Sequence, residues 1–481
     1  MRPVPHFASL NAGYGLEAGL AGCLLRLVAP SPDERQRNAK ISSARERPAF
    51  RFAPRGLRLT VLGSTAVLRR VNLPGTDLIT PSIETRSSWI VASISVALLS
   101  LSFGALWITA VALKPMAADL GGVRSAPALA SSLAWLGTSF GGVLMGRIAD
   151  RYGIRWTVIF GALSICAGLF ISTLGEPWQL YVGHGLFMGL LGNAGLNAPL
   201  YVYVSRWFDR RRGSALALIS SGGYVAGTVW PPVFERAIEL AGWRQTMMVY
   251  GLFAVATIVP LALIFLRPPP ELPAVSAGTA DPRATPRVFG WPPNAVFTLL
   301  AGAAFLCCVT MSMPQAHLVA FCSDLGISAT HGAAMLSLLL GAGFLSRQAW
   351  GAISDRIGGL LTLLMSSALQ AAAMTAFVVT QDEAGLFAVA GVFGVGFSAL
   401  IPAYVLAVRE YFPAQEASWR IPALLLLSGS GMATGSYLAG LLYDSFGYYA
   451  PAFAAGVGFN LLNIAALGTL ALRQRYAAIP A

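Results

Sequence analysis

Twelve long apolar runs follow one another along this chain, and each is long enough to cross a lipid bilayer. A bilayer core takes roughly 20 residues of α-helix. Charged residues make up only 11% of the chain and apolar residues 56%, whereas soluble domains carry about 25% charged residues. The sequence therefore predicts an all-α membrane protein with 12 transmembrane helices. We place them near 89–113, 127–146, 157–175, 179–204, 214–234, 246–266, 295–320, 331–353, 360–379, 385–408, 422–442 and 450–472.

A polar, proline-rich stretch separates the sixth run from the seventh. It begins at Arg267-Pro268-Pro269-Pro270, and consecutive prolines cannot continue a helix. The sequence thus predicts two six-helix bundles at 89–266 and 295–473. A linker at 267–294 joins them, and a short tail occupies 474–481.

Basic residues in the loops predict the orientation. After residue 88 there are 20 Lys and Arg, of which 15 lie in loops on one side. Only Lys114, Arg124, Arg236 and Arg244 lie in the alternate loops. Because Lys and Arg concentrate on the cytoplasmic side, both bundle termini are expected in the cytoplasm, and the protein in the cytoplasmic (inner) membrane. The net charge of +12 therefore needs no nucleic-acid partner.

Residues 1–88 differ in composition from the rest of the chain. They hold 13 basic and 6 acidic residues and no uninterrupted apolar run of spanning length. We expect a disordered cytoplasmic tail or a start site assigned too far upstream. A basic segment that touches anionic lipid remains the alternative.

One charged pattern occurs twice. It reads Gly146-Arg147-Ile148-Ala149-Asp150-Arg151-Tyr152-Gly153-Ile154-Arg155 and again, without the last arginine, Gly351-Ala352-Ile353-Ser354-Asp355-Arg356-Ile357-Gly358. Glycines permit a tight turn between closely packed helices, and the charges can bridge helix ends. The pattern predicts a gating loop in each half, with topology anchoring as the alternative. Its candidate residues are Gly146, Asp150, Arg151, Gly153, Arg155, Gly351, Asp355 and Arg356.

These two patterns resemble the signature loops of the major facilitator superfamily. Within it, the chain is similar to the monocarboxylate transporters and the oxalate/formate antiporters. That likeness rests on Arg206-Trp207-Phe208 with Arg210-Arg211-Arg212-Gly213, on Gly242-Trp243-Arg244, and on Gly440-Leu441-Leu442-Tyr443-Asp444. The resemblance implies a monomeric secondary transporter that moves a small organic anion by alternating access, with proton symport or anion exchange.

Arg347 is the leading candidate for contact with the substrate. A charge inside a spanning helix is costly and usually faces a cavity or a partner. The resemblance implies that this arginine binds a substrate carboxylate; snorkelling to the membrane surface is the alternative. The second cation of the oxalate-type sites is absent from the run at 422–442, which favours a monocarboxylate. Further substrate-binding candidates are Asn197, Tyr201, Tyr224 and Gln315, each of which could equally serve helix packing.

Proton coupling has two candidates. No Asp or Glu lies in mid-helix, whereas His184 and His317 lie within apolar runs and histidine titrates near neutral pH. Both could instead be hydrogen-bonded packing residues, and a proton could travel on the substrate carboxyl.

The sequence holds no nucleophile–base pattern, metal-ligand spacing or phosphate-binding loop. We therefore expect no enzymatic activity, no metal and no cofactor, and only the substrate, protons and the lipid bilayer as partners. Two alternatives remain open: an exporter of amphipathic or aromatic compounds, and a membrane sensor that transports nothing.

Overall fold

The computed structural model describes residues 84–208, 211–268 and 288–477, and these residues are almost entirely helical. The predicted tail at 1–88 and the linker at 267–294 lie mostly outside the described residues. The helices are α1 (Arg86–Val111), α2 (Leu113–Asp119), α3 (Ser125–Tyr152), α4 (Ile154–Ser172), α5 (Pro177–Val182), a π-helical segment (Gly183–Asn193), α6 (Ala194–Ser205), α7 (Arg212–Ser220), α8 (Gly222–Phe265), α9 (Pro293–Asp324), α10 (Ala329–Ile357), α11 (Gly359–Val379), α12 (Glu383–Phe397), α13 (Leu400–Tyr411), α14 (Ala414–Phe446) and α15 (Ala450–Ala477).

Among the described residues, ten helices are long and apolar enough to cross a membrane. One of them, Ser214–Phe265, has 52 residues, and Gly242 breaks its helical geometry with a φ of 79°. All twelve predicted runs are helical, but the run near 179–204 is divided among α5, the π-helical segment and α6.

The chain connections divide the molecule into two groups of helices and two ends. We call residues 84–208 and 211–268 the N-bundle and residues 288–477 the C-bundle. The Arg124 face is the end that holds 112–124, 173–176, 242, 325–328, 380–382 and 447–449. The Arg155 face is the opposite end, with 153–155, 206–208, 266–268, 358 and 412–413.

The two repeated charged patterns lie on helix ends and not in extended loops. Helix α3 continues to Tyr152 and α10 to Ile357, so the turn in each copy is a single glycine. Gly153 has a φ of 88° and Gly358 a φ of 82°, in the region that residues with a Cβ rarely adopt. The predicted ends at 146 and 353 were therefore too early, because charged residues at a membrane surface do not have to end a helix.

Glycines allow the helices of the N-bundle to pack with their backbones in contact. A Cβ at Gly137 of α3 would collide with the carbonyl oxygen of Gly185 and lie 2.7 Å from the backbone nitrogen of Leu190. Gly168 of α4 faces the carbonyl of Gly183 in the same way. Small residues are the usual means of close helix packing in lipid, and here they seat the π-helical segment against both neighbours.

We expect Gly137→Val to destabilise the protein, because the added methyl groups cannot fit against the π-helical segment. Overpacking of this kind costs about 1–3 kcal/mol. Gly458→Val is the matched control, since a Cβ at Gly458 meets no atom within 4 Å. Thermal unfolding in detergent should show a lower midpoint for the first variant and no comparable shift for the second. Equal midpoints would contradict the packing described here.

Candidate functional site

The space between the two bundles holds a cavity lined by both. Trp107 of α1 and Trp135 of α3 come from the N-bundle, while Gln315 of α9 and Met432 of α14 come from the C-bundle. The candidate Gln315 thus lies in the cavity wall, only 6% exposed. Trp107 also touches α8, since a Cβ at Gly227 would lie 3.1 Å from its ring. The cavity lining thus combines two tryptophans with four polar side chains, Ser131, Ser312, Gln315 and Ser436.

Arg347 of α10 lies next to Tyr224 of α8, and Tyr224 is one helical turn before Gly227. The side chain of Arg347 is 9% exposed. Its guanidinium carbon is 4.8 Å from the ring centroid of Tyr224, which is an arrangement suited to a cation–π interaction. One guanidinium nitrogen donates to the carbonyl oxygen of Ser220, 3.3 Å away in the N-bundle. Arg347 thus points into the interface between the bundles and does not snorkel to the surface.

An aromatic wall surrounds this guanidinium. The ring of Tyr224 stacks on Phe397 of α12, with centroids 5.8 Å apart. Tyr201 of α6 is close enough to interact electrostatically with both Arg347 and Tyr224. Within the described part of the chain, Arg347 has no ion-pair partner, whereas Lys114, Arg124 and Arg420 each have one. Three sequence-predicted residues, Arg347, Tyr201 and Tyr224, are therefore brought together around an uncompensated cation.

Asn197 is not tied to this group by any contact that the structure describes. It is half-buried on α6. One turn earlier, Asn193 accepts a hydrogen bond from Ser102, and its own side-chain nitrogen is buried without a partner. Asn197 and Tyr201 are one turn apart in α6, which is α-helical. The π-helical segment ends at Asn193, and its wider turn changes the face that Asn193 presents relative to α6.

The two candidate histidines lie in different places. His184 is fully buried inside the N-bundle. Its ring nitrogens lie 2.9 Å from the hydroxyls of Thr109 and Ser172, which fits the packing alternative. His317 is also fully buried, but it adjoins the residues that join the two bundles at the Arg124 face. A role in proton coupling remains a prediction for both.

Ion pairs and hydrogen bonds join the bundles at the Arg124 face. Arg124 of the N-bundle is 5% exposed and donates two hydrogen bonds of 2.5 Å to the carboxylate of Asp324. The ring of Tyr443 lies 3.7 Å from its guanidinium carbon. Burial opposes the charge, but the bonds to Asp324 and Tyr449 outweigh it, and the pKa of Arg124 lies above its ordinary value. Lys114 adds a further contact to Asp324 at 3.4 Å.

A second carboxylate holds the same face closed. Asp444 of the C-bundle accepts hydrogen bonds from the backbone nitrogens of Arg124 and Ser125, at 2.8 and 2.9 Å. It therefore caps the first turn of α3 from the opposite bundle. The sequence analysis missed these partners because Asp324 and Asp444 lie far from residue 124 in the chain. The available signal was that both carboxylates end an apolar run on the face with few charges.

At the Arg155 face the repeated patterns contact their own bundles. Asp150 pairs with Arg206 at 3.1 Å, and Arg155 donates to the carbonyl oxygen of Leu266 at 3.2 Å. A Cβ at Gly146 or at Gly351 would meet no atom within 4 Å. Among the described residues, the ion pairs that join the two bundles lie at the Arg124 face, and the structure is closed there.

The second repeated pattern has an anchor that the sequence analysis did not identify. The carboxylate of Glu410 on α13 accepts from the backbone nitrogen of Gly359, at 3.1 and 3.2 Å. It holds the first turn of α11 where the first copy instead has Arg155 bound to Leu266. Asp355 and Arg356 are exposed.

Known proteins share both the sequence pattern and the fold. Residues 95–418 match the family described as "Major Facilitator Superfamily". The "MFS transporter asaE" of Aspergillus flavus is 24% identical over 311 residues, which cover 64% of this chain and 68% of that protein. The "Agnestins efflux protein AgnL12" of Paecilomyces divaricatus is 24% identical over 278 residues, or 56% of this chain and 62% of that protein. A crystal structure of the peptide transporter POT with alafosfalin superposes with a TM-score of 0.62 at 15% identity, covering 80% of this chain and 95% of that one.

Proposed function

Because the chain belongs to the major facilitator superfamily, we propose that it is a secondary active transporter of a small organic anion, a monocarboxylate with an apolar body. It works by alternating access in the cytoplasmic membrane, as a monomer. The observation that carries this proposal is Arg347, a cation buried between the bundles among aromatic rings and without an acidic partner in the described residues. A single guanidinium suits a single carboxylate, since its fork can hold both oxygens.

Twelve membrane crossings fit this function. The 52-residue span Ser214–Phe265 divides at Gly242 into two crossings of about 20 residues or more. The broken helix at 177–205 supplies another crossing. The bundles at 89–266 and 295–473 then have six crossings each. Most loop arginines lie at the Arg155 face, and by the positive-inside rule this supports a cytoplasmic position for that face and for both bundle termini.

The chemistry of the site also constrains energy coupling. A lone anion that enters the cell against a negative interior is opposed by about 2.3 kcal/mol per 100 mV. Uptake therefore requires a co-transported proton or exchange for another anion, whereas export of an anion is favoured by the same potential. The six-helix repeats and the single cation are compatible with either direction.

Export of amphipathic or aromatic compounds is the second candidate. Its support is the pair of tryptophans, Trp107 and Trp135, in the wall of the cavity and the similarity to an efflux protein, AgnL12. In that function Arg347 would contribute to structure, and substrates would not need a negative charge. The likeness to the monocarboxylate and oxalate/formate groups supports the first candidate and not this one.

A binding assay separates the two candidates. We expect an aromatic monocarboxylate to stabilise the purified protein against thermal unfolding, and its primary amide, of equal size but without charge, to do so far less. Loss of a charged hydrogen-bonded pair costs about 1.5–3 kcal/mol, or roughly 10- to 100-fold in affinity. Equal stabilisation by acid and amide would favour the exporter and contradict the anion site.

A further inference from the structure

His317 is placed where a proton would act on the contact between the bundles. Its Nε2 lies 2.9 Å from the carbonyl oxygen of Ser436, and its Nδ1 lies 3.0 Å from the hydroxyl of Tyr449. The side chain is fully buried in α9, about two helical turns before that helix reaches the Arg124 face. Both ring nitrogens are therefore occupied, and each partner constrains where a proton can sit.

The carbonyl of Ser436 fixes the tautomer of the ring. A carbonyl oxygen only accepts, so Nε2 of His317 carries the hydrogen. In a neutral imidazole Nδ1 is then an acceptor, and the hydroxyl of Tyr449 donates to it. The oxygen of Tyr449 in turn accepts from Arg124 at 2.8 Å. Donors thus run in one direction, from Arg124 in the N-bundle to Tyr449, to His317, and to the carbonyl of Ser436.

The charges around this chain of hydrogen bonds, from Arg124 to Ser436, are balanced only while His317 is neutral. The groups that face it are Tyr449 at the start of α15, Arg124 before α3 and Asp444 on α14. Asp324 and Lys114 adjoin Arg124, so two cations meet two carboxylates. Burial raises the pKa of Tyr449, so its hydroxyl keeps the hydrogen that it donates to His317.

A proton on Nδ1 of His317 would break this arrangement in two ways. Nδ1 would become a donor and could no longer accept from Tyr449. The hydroxyl of Tyr449 would then have to turn and donate its hydrogen to another acceptor. The imidazolium would also be a third cation, separated from Arg124 only by the hydroxyl of Tyr449. In a buried site such like charges repel strongly. Both effects oppose the contact between Arg124 and the C-bundle. Water that enters when the bundles separate at this face would solvate the imidazolium.

We propose that His317 is a proton-binding site that controls opening of the Arg124 face: the face closes only when His317 is neutral. The proposal rests on the alternating access assigned above but not on the substrate. A proton binds from the Arg124 side when that face is open and must leave before it closes. Because the proton returns to the side from which it came, this step makes closure of the face depend on pH without carrying a proton across the membrane, whichever direction the substrate takes.

The test measures the distance between the two bundles at the Arg124 face as a function of pH. Spin labels on non-natural amino acids at Leu240 and Gln381, which are exposed on this face in the N- and C-bundle, report the distance between bundles in lipid nanodiscs. From about pH 8 to about pH 5, where histidine can change charge, we expect the ratio of long to short distances to rise. One proton allows at most about tenfold per pH unit.

His317→Gln is the decisive variant. Its amide NH₂ can donate to Ser436 and its oxygen can accept from Tyr449, so it imitates neutral histidine and cannot take the proton. We expect short distances at every pH in this variant. His331→Gln is the control, because His331 pairs at the surface with Glu383 at 2.7 Å and should leave the pH profile unchanged. A flat profile in the wild type, or the wild-type profile in His317→Gln, would overturn the proposal. No substrate is present, so the outcome is independent of whether the carried compound is an anion.

Discussion

Arg347→Ala is expected to reduce transport of an anionic substrate about 100-fold at low substrate concentration. Removing one partner of a buried charge pair costs about 3 kcal/mol or more, and about 1.4 kcal/mol corresponds to a factor of ten. The loss follows from the position of Arg347 between the bundles, 4.8 Å from the ring of Tyr224. Initial rates in proteoliposomes, measured with a labelled monocarboxylate, check it.

A conservative variant separates charge from geometry at the same position. Arg347→Lys keeps the charge but loses the planar fork, so we expect a deficit of about tenfold relative to the wild type. The control is Arg409→Ala, since Arg409 is exposed near the end of α13 and contributes nothing to the site. Full activity in Arg347→Lys would exclude bidentate recognition, and full activity in Arg347→Ala would exclude the carboxylate site altogether.

Arg124→Ala is expected to open the Arg124 face and to abolish coupled transport. The variant would leave the carboxylate of Asp324 without the two hydrogen bonds from the buried guanidinium. Breaking a buried ion pair costs about 3–5 kcal/mol, so the population closed at this face should fall about 100-fold or more. The distance between labels at Leu240 and Gln381 should lengthen, and the rate of substrate exchange should fall with it.

Arg236→Ala is the matched control for this second prediction. Arg236 is also an arginine near the Arg124 face, but it pairs with Glu239 in its own helix, and both side chains are more than half exposed. Surface pairs of this type contribute about 0–1 kcal/mol, so distances and rates should match the wild type. If Arg124→Ala also leaves the label distance unchanged, the contacts between the bundles at this face do not hold it closed.

Sequence reasoning located the helices well because their signal is local. Apolar runs and glycine-punctuated turns depend on neighbouring residues, and all of the predicted runs are helical in the described chain. Arg347 was also recognisable, since a charge inside an apolar run stands out. These features need no knowledge of which helices pack together.

The closed face could not be predicted in the same way. Arg124 meets Asp324, Asp444 and Tyr449, and nothing in the sequence indicates which loops meet across two bundles. Three of these residues were recognisable only as charges at helix ends. The helical faces near Asn193 were likewise hidden, because a π-helical segment changes the residue spacing.

The central claim is that Arg347 and a substrate carboxylate recognise each other, and a double comparison of ligand and side chain tests it most directly. Transport of a labelled aromatic monocarboxylate and of its primary amide should be measured in the wild type and in Arg347→Gln, in the same proteoliposomes. We expect the wild type to prefer the acid by about tenfold or more and Arg347→Gln to lose that preference through slower transport of the acid alone. An equal preference for acid and amide in the wild type, or an unchanged preference in Arg347→Gln, would contradict the account.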